Sequence, residues 1–144
     1  MSFDVRSTIL SNIETLAWVE KTKDWGNTEV AVNEISSMPY NDFLVALGDA
    51  SFELDPYHPI GWNKYITTYD VILFINKKSN DKDLSKIKEI SQLLTHNTLK
   101  DGFALAQCAD SRVTDISRFE TIKENLSINR YCILTYEVIQ FEQV

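Results

Sequence analysis

The chain has 144 residues, of which 44% are hydrophobic and 24% are charged, and its formal net charge is −7. These values are typical of one globular domain with a single core, which we expect to span residues 1–144. The negative charge argues against a protein that wraps DNA or RNA, because phosphate binding depends on Lys and Arg, and no sequence-specific binding of nucleic acid is expected.

The opening residues do not read as a secretion signal, because Asp4 and Arg6 lie where an uninterrupted apolar stretch would be needed. No apolar run approaches the ~20 residues that cross a bilayer. We therefore expect a protein that is made and kept in the cytoplasm and has no membrane partner. Cys108 and Cys132 lie in apolar runs without C-x-x-C spacing, and we interpret them as buried hydrophobic residues rather than as a disulfide.

Helical spacing is the first pattern along the chain. Residues 2–19 are predicted to form an amphipathic helix whose apolar stripe must be covered by other elements. That stripe consists of Val5, Ile9, Ile13 and Leu16. Residues 20–40 follow no clear period and receive no assignment. Residues 42–48 are apolar on both faces, which predicts a short buried strand.

The stretch 52–64 is rich in aromatic residues but has no period. Two prolines and a glycine interrupt it, so it is predicted to be an apolar loop that either folds back on the core or meets a partner. A strand over residues 64–76 and a helix over residues 81–96 follow.

The C-terminal part is predicted to consist mainly of strands, at 103–109 and 130–141. The polar segment 110–120 between them is expected to be a connection or a continuing edge. With two helices on the same face of the sheet, the predicted fold class is α+β, with a mostly antiparallel sheet.

Two of the predicted strands contain nearly the same phrase. Residues 66–74 read ITTYDVILF and residues 133–141 read ILTYEVIQF, so six of the nine positions are identical. A duplicated module should extend beyond the phrase, and the similarity ends soon after it. We interpret the two copies as strands in similar surroundings, because similar packing selects similar β-branched and aromatic residues.

Each of these strands has one apolar face and one mixed face. The mixed face carries Thr68, Asp70, Thr135 and Glu137 among apolar residues. It is too apolar to be left wholly hydrated and too acidic to be ordinary core, so we interpret it as a half-solvated sheet or as a subunit interface. As an interface, its acids are expected to meet basic residues such as Arg112 or Arg118 of a neighbouring copy.

The sequence offers no recognisable catalytic or cofactor motif. Its two histidines, His58 and His96, are accompanied by no Cys/His cluster, and its four glycines are dispersed, which excludes the common zinc and phosphate-loop patterns. No serine lies in G-x-S-x-G. We expect no metal, no cofactor and no enzymatic activity. The charges around Asp115 in the 110–120 segment are expected to be a solvated loop or a contact surface built from ion pairs.

The order of the predicted elements resembles that of the tail-terminator and tail-completion proteins of long-tailed bacteriophages. The shared features are an N-terminal helix, the short strand FLVALGD with an irregular loop after it, the long strand YITTYDVILFI, one helix after a polar turn, and two closing strands. The resemblance covers residues 3–142 and consists of hydrophobic patterns. The chain departs from the family at the first strand, where the expected proline is absent and Pro39 lies three residues before Asp42.

This resemblance implies a subunit that forms a six-fold ring at the head-proximal end of the tail tube. Such a ring ends polymerisation of the tube and provides the surface on which the filled head docks. The implied partners are other copies of the chain, the tail tube protein and the head–tail connector protein, in the host bacterial cytoplasm during assembly and then in the virion tail. Tyr57 and Trp62 are expected to join the mixed face in these interfaces.

Three alternatives stay open at this point. The nearest is another head–tail connector or neck component of a phage. A small soluble ligand-binding domain could use the aromatic 52–62 loop as a lid, with Phe52, Tyr57 and Trp62 over the ligand. A hydrolase whose site is assembled only by the fold is the third.

Overall fold

The computed structural model describes residues 5–76, 83–95, 108–124 and 127–144. The helices in this part of the chain are α1 (Arg6–Ile13), α2 (Thr28–Glu34) and α3 (Asp83–Leu94), with a short 3-10 helix (Ile35–Ser37) after α2. The strands are β1 (Lys21–Asp24), β2 (Phe43–Asp55), β3 (Trp62–Asn76), β4 (Cys108–Ile116), β5 (Glu120–Glu124) and β6 (Ser127–Gln143).

All six strands form one sheet. Its order is β1-β2-β3-β6-β4, and β5 pairs with β6 on the same side as β4. Only β1 and β2 are parallel, whereas every other pair is antiparallel. The predicted α+β class with a mostly antiparallel sheet is therefore confirmed.

The two copies of the repeated phrase are neighbouring central strands. In the β3–β6 ladder Tyr69 lies opposite Tyr136, so the phrases run antiparallel about this pair, with Ile66 opposite Ile139 and Ile72 opposite Ile133. The two strands have similar sequences because they have similar surroundings: each packs its alternate residues against the same two sides of the sheet.

One face of the sheet carries the main core. Tyr69 and Tyr136 are both buried there, together with Val71 and the apolar stripes of α1 and α3. The Tyr136 hydroxyl donates to the carbonyl of Leu94 at 3.1 Å, which anchors the last turn of α3 to β6. The prediction that both helices cover the Tyr69 and Tyr136 face is confirmed.

A third helix covers part of the opposite face, contrary to the prediction that helices pack on one face alone. The α2 helix and the 3-10 helix bury Ile72 and Phe74 on this side. The side chain of Asn27 caps α2 by accepting the N–H of Val30 at 3.0 Å. The sequence does not predict this helix, because its 7 residues are too few to display a helical period.

Three predicted elements had wrong boundaries: the first helix, the strand at 42–48 and the loop at 52–64. The first helix ends at Ile13 rather than at residue 19, since tight turns follow it, although its apolar stripe is buried as expected. The predicted strand at 42–48 continues to Asp55, and the predicted loop at 52–64 is largely hairpin, with a turn only at 56–61.

The C-terminal strands also differ from the prediction. Residues 103–107 lie outside the described residues, and β4 runs from Cys108 to Ile116. Most of the polar 110–120 segment is therefore a continuing strand of the sheet, as one of the two expectations had it. Its polar residues are compatible with a strand because β4 pairs with β6 alone among the described residues, and Arg112, Thr114 and Asp115 on it are exposed.

Candidate functional site

The side of the sheet opposite α1 and α3 is only partly covered. The α2 helix reaches Ile72 and Phe74, whereas the next residues along β3 and β6 are half exposed. We call this uncovered surface the open face. It contains Thr68, Asp70, Thr135 and Glu137 at its centre and Arg112 and Asp115 of β4 at its side. The structure thus brings the predicted mixed-face residues together on one surface.

The two acids at the centre of the open face have partners within the chain. Asp70 accepts a hydrogen bond from the hydroxyl of Thr28 at 2.6 Å. Glu137 lies opposite Arg112 in the β4–β6 register and forms an ion pair with it at 3.5 Å. The Arg112 side chain remains 53% exposed, so the pair is accessible to a second protein. Arg118 lies beyond β4, exposed to solvent.

The open face is strongly acidic where β2, β3, β6 and β4 lie side by side. By register, six acids and two bases occupy this side of the four strands. The acids are Glu53, Asp55, Asp70, Asp110, Asp115 and Glu137, and the bases are Lys64 and Arg112. A surface with this balance attracts basic partners and repels acidic ones.

The second candidate surface is the far end of the β2–β3 hairpin, residues 50–64, which we call the arm. Of the nine large hydrophobic residues that are exposed in the described part of the chain, five belong to the arm. They are Phe52, Leu54, Tyr57, Ile60 and Trp62. Tyr57 is 85% exposed and Ile60 is fully exposed. Such a concentration of exposed apolar side chains on one segment is typical of a protein contact.

Hydrogen bonds rather than burial hold the tip of the arm in place. The Asp55 carboxylate accepts the N–H of Tyr57 at 2.9 Å and forms an ion pair with Lys64 at 3.0 Å. The Tyr57 N–H and the Lys64 ammonium keep the pKa of Asp55 below its ordinary value. Gly61 adopts a positive φ of 87°, which closes the turn without a side-chain clash. The exposed side chains are therefore presented on an ordered backbone.

The three aromatic residues proposed as a ligand lid do not converge. Phe52 lies on the side of the sheet that carries α1 and α3, where it stacks on Tyr65 with ring centroids 5.0 Å apart. Trp62 occupies the opposite side by register, and Tyr57 lies in the turn between them. The arrangement favours a contact surface over an enclosed ligand site.

The described residues provide little for covalent or metal chemistry. In 5–76, 83–95, 108–124 and 127–144, no three His, Cys, Asp or Glu residues lie close enough together to hold a metal ion. Burial raises the pKa of both the Cys108 and the Cys132 thiol to about 11, so these thiols are protonated near neutral pH. No described helix is both long and apolar enough to cross a membrane.

Comparison of the chain with protein-family models and with curated proteins gives no match. The open face and the arm are therefore the features that bear on function.

Sequence reasoning missed several residues of the arm. Leu54 and Ile60 are absent from the predicted contact residues, and Glu53 falls in the predicted loop although SFELD by itself alternates polar and apolar residues. That alternation was the available signal for a strand. The prolines of the following turn concealed it.

Proposed function

We propose that the chain is a structural subunit that assembles with copies of itself and with other proteins. More specifically, we propose that it forms a ring, of six copies, at the head-proximal end of a phage tail tube. The observation that supports an assembly role is the clustering of exposed apolar side chains on an ordered arm. Apolar area such as that of Tyr57 and Ile60 is removed from water when it meets a partner, and this favours association.

The two surfaces suit two kinds of contact. The open face combines half-exposed apolar residues with Arg112 and Glu137, whose ion pair can be exchanged for pairs with a neighbouring copy. The turn at 56–61 lies beyond the last β3–β6 pair, Trp62–Gln143, and its exposed Tyr57 and Ile60 suit contacts with the tail tube protein or the head–tail connector protein. We place copy-to-copy contacts where the open face of one subunit meets exposed basic residues such as Arg118 of its neighbour, because two acidic open faces would repel each other. Contacts to these partners lie on the arm.

The net charge explains how assembly would be controlled. Seven net negative charges per copy repel one another, so free subunits should associate weakly until a tube end supplies apolar contacts. Salt screens this repulsion over a Debye length of ~8 Å at physiological ionic strength. Association in the absence of tubes should therefore increase with salt concentration.

Electron microscopy tests this proposal directly. Purified protein is imaged at low and high salt and is then added to tail tubes that lack their cap. Rings are expected at tube ends and, at high salt, in solution. The variant Tyr57→Ser/Ile60→Ser should fold but fail to bind tube ends, while Glu29→Gln on α2 serves as a control that retains binding.

Other outcomes would replace the proposal. A protein that stays monomeric in every condition and leaves tube ends bare is not a tail terminator. If it binds isolated head connectors but no tubes, the assignment moves to a neck component of the head.

A further inference from the structure

The outer edge of the arm is an unpaired strand. Within the described residues β1 pairs with β2 only from Leu44 to Leu47, so no described strand lies beside Ala50–Asp55. Side chains from Ala50 to Leu54 are exposed, with Phe52 and Leu54 at 57% and 56%, whereas Asp55 is half-buried. An exposed strand edge presents backbone N–H and C=O groups that can pair with another extended chain.

The side chains of this edge alternate in character. Phe52 and Leu54 lie on the side that carries α1 and α3, whereas Ser51 and Glu53 lie on the acidic open face. A strand added here would place apolar side chains beside Phe52 and Leu54. Its alternate side chains would lie beside Glu53, which has no partner among the described residues.

The charge of the surroundings selects the kind of strand. Six acids and two bases occupy the open face across β2, β3, β6 and β4; the acids on β2 itself are Glu53 and Asp55, of which Asp55 pairs with Lys64. The whole chain carries a net charge of −7. A basic segment is attracted by this surface, and an acidic one is repelled. Another copy of this acidic chain is a poorer occupant than a basic segment of a different protein.

We propose that Ala50–Asp55 is a strand-addition site for an extended segment of another protein in which apolar and basic side chains alternate. The ladder with the backbone of β2 supplies binding, and the contacts with Leu54 and Glu53 select the sequence. Glu53 and the irregular pairing between Leu47 and Ala50 also discourage pairing between copies. This inference concerns the edge of β2 and does not require the tail-end ring.

The test uses a fluorescent nine-residue peptide of alternating lysine and valine, with binding followed by fluorescence anisotropy. Amide hydrogen exchange on the full chain identifies where it binds. We expect saturable binding and slower exchange of the Ala50–Asp55 amides. Glu53→Lys should weaken binding about fivefold to tenfold, because one opposite-charge contact across strands becomes a like-charge contact. The same variant should bind a glutamate/valine peptide better than the unmodified protein does.

Two controls separate strand addition from simple charge attraction. A lysine/proline peptide has the same charge but cannot form the ladder, and Glu29→Lys makes the same charge change on α2. We expect the first to bind weakly and the second to bind the lysine/valine peptide as the unmodified protein does. The proposal is overturned if the lysine/proline peptide binds equally well, if Glu29→Lys weakens binding as much as Glu53→Lys, or if the Ala50–Asp55 amides gain no protection.

Discussion

The two halves of the β2–β3 hairpin have opposite environments although the same two strands run through both. In the inner half, Leu44–Leu47 and Val71–Ile75 are buried on both faces, by α1 and α3 on one side and by α2 on the other. In the arm, neither face is fully covered and five large hydrophobic residues are exposed. The inner half therefore stabilises the fold through its buried core, whereas the arm offers exposed side chains for contacts with other proteins.

A bulge divides the halves. Gly48 and Asp49 together stand opposite Asp70. On one side of the sheet the Thr28 hydroxyl accepts the Asp49 N–H at 3.0 Å and donates to Asp70. The Arg6 guanidinium donates to the Gly48 carbonyl at 2.7 Å and also pairs with Asp24. Helices α1 and α2 thus hold the point where the arm begins, which fixes its direction.

The two halves should differ most in the loss of unfolding free energy that follows when one carboxylate is introduced into each of them. Val71→Asp buries an unpaired carboxylate and should cost about 3–5 kcal/mol of unfolding free energy. Phe52→Asp places the same group in the exposed arm and should cost less than ~1 kcal/mol. Urea denaturation measures both values. Equal costs would mean that the arm is as much a part of the core as the inner half.

The bulge should be the next most sensitive position. A Cβ at residue 48 would collide with Thr28 Oγ1 and would lie 2.9 Å from Thr28 Cα. Gly48→Ala should therefore destabilise the fold by about 1–3 kcal/mol through overpacking. Ser51→Ala, three residues further into the exposed arm, is the matched control and should change stability little. A Gly48→Ala protein with unchanged stability would show that α2 does not hold the bulge.

Removing the carboxylate at the bulge should have a smaller effect. Asp70→Ala loses one hydrogen bond with Thr28 and should cost about 1 kcal/mol, far less than Val71→Asp. A double-mutant cycle with Thr28→Val measures the coupling between the two side chains. We expect a coupling near ~1 kcal/mol. A coupling of zero would mean that the hydrogen bond between Asp70 and Thr28 does not stabilise the fold, and that Asp70 serves contacts at the surface instead.

The smallest effect should be the pH dependence of the Arg6–Asp24 pair. The hydrogen bond from Arg6 keeps the pKa of Asp24 below its ordinary value, although partial burial opposes this. Because the folded-state pKa is the lower one, the pair stabilises the fold above the unfolded pKa of ~3.9 and loses this contribution as pH falls through the folded pKa.

Thermal denaturation checks this sign. The Asp24→Asn protein should be less stable than the unmodified protein at pH 7, by ~1 kcal/mol or less for such a partly exposed pair. The difference should disappear at low pH. Asp49→Asn, made at the bulge, is the control. A difference that persists at low pH would mean that packing, and not charge, accounts for the loss.

The sequence by itself determined much of the fold. Alternation along 64–76 and 130–141 identified the central strands and their buried faces, because a strand packed on one side must repeat every two residues. The stripe from Val5 to Ile13 likewise identified the buried side of α1. The same patterns identified the mixed face, where Asp70 and Glu137 interrupt an apolar row.

Only the tertiary structure decided how these faces are used. The pairing of Tyr69 with Tyr136, the placement of α2 over Ile72 and the partnership of Asp70 with Thr28 all join residues distant in sequence, and no local pattern records such pairings. The full length of β2 could not be predicted from the sequence either. The Gly48–Asp49 bulge shifts which residues face each side of the sheet, and the nearby prolines are typical of a loop. The exposure of the arm is the clearest case. An apolar side chain has the same chemistry in a core and on a surface, and only the positions of the other elements determine which of the two it occupies.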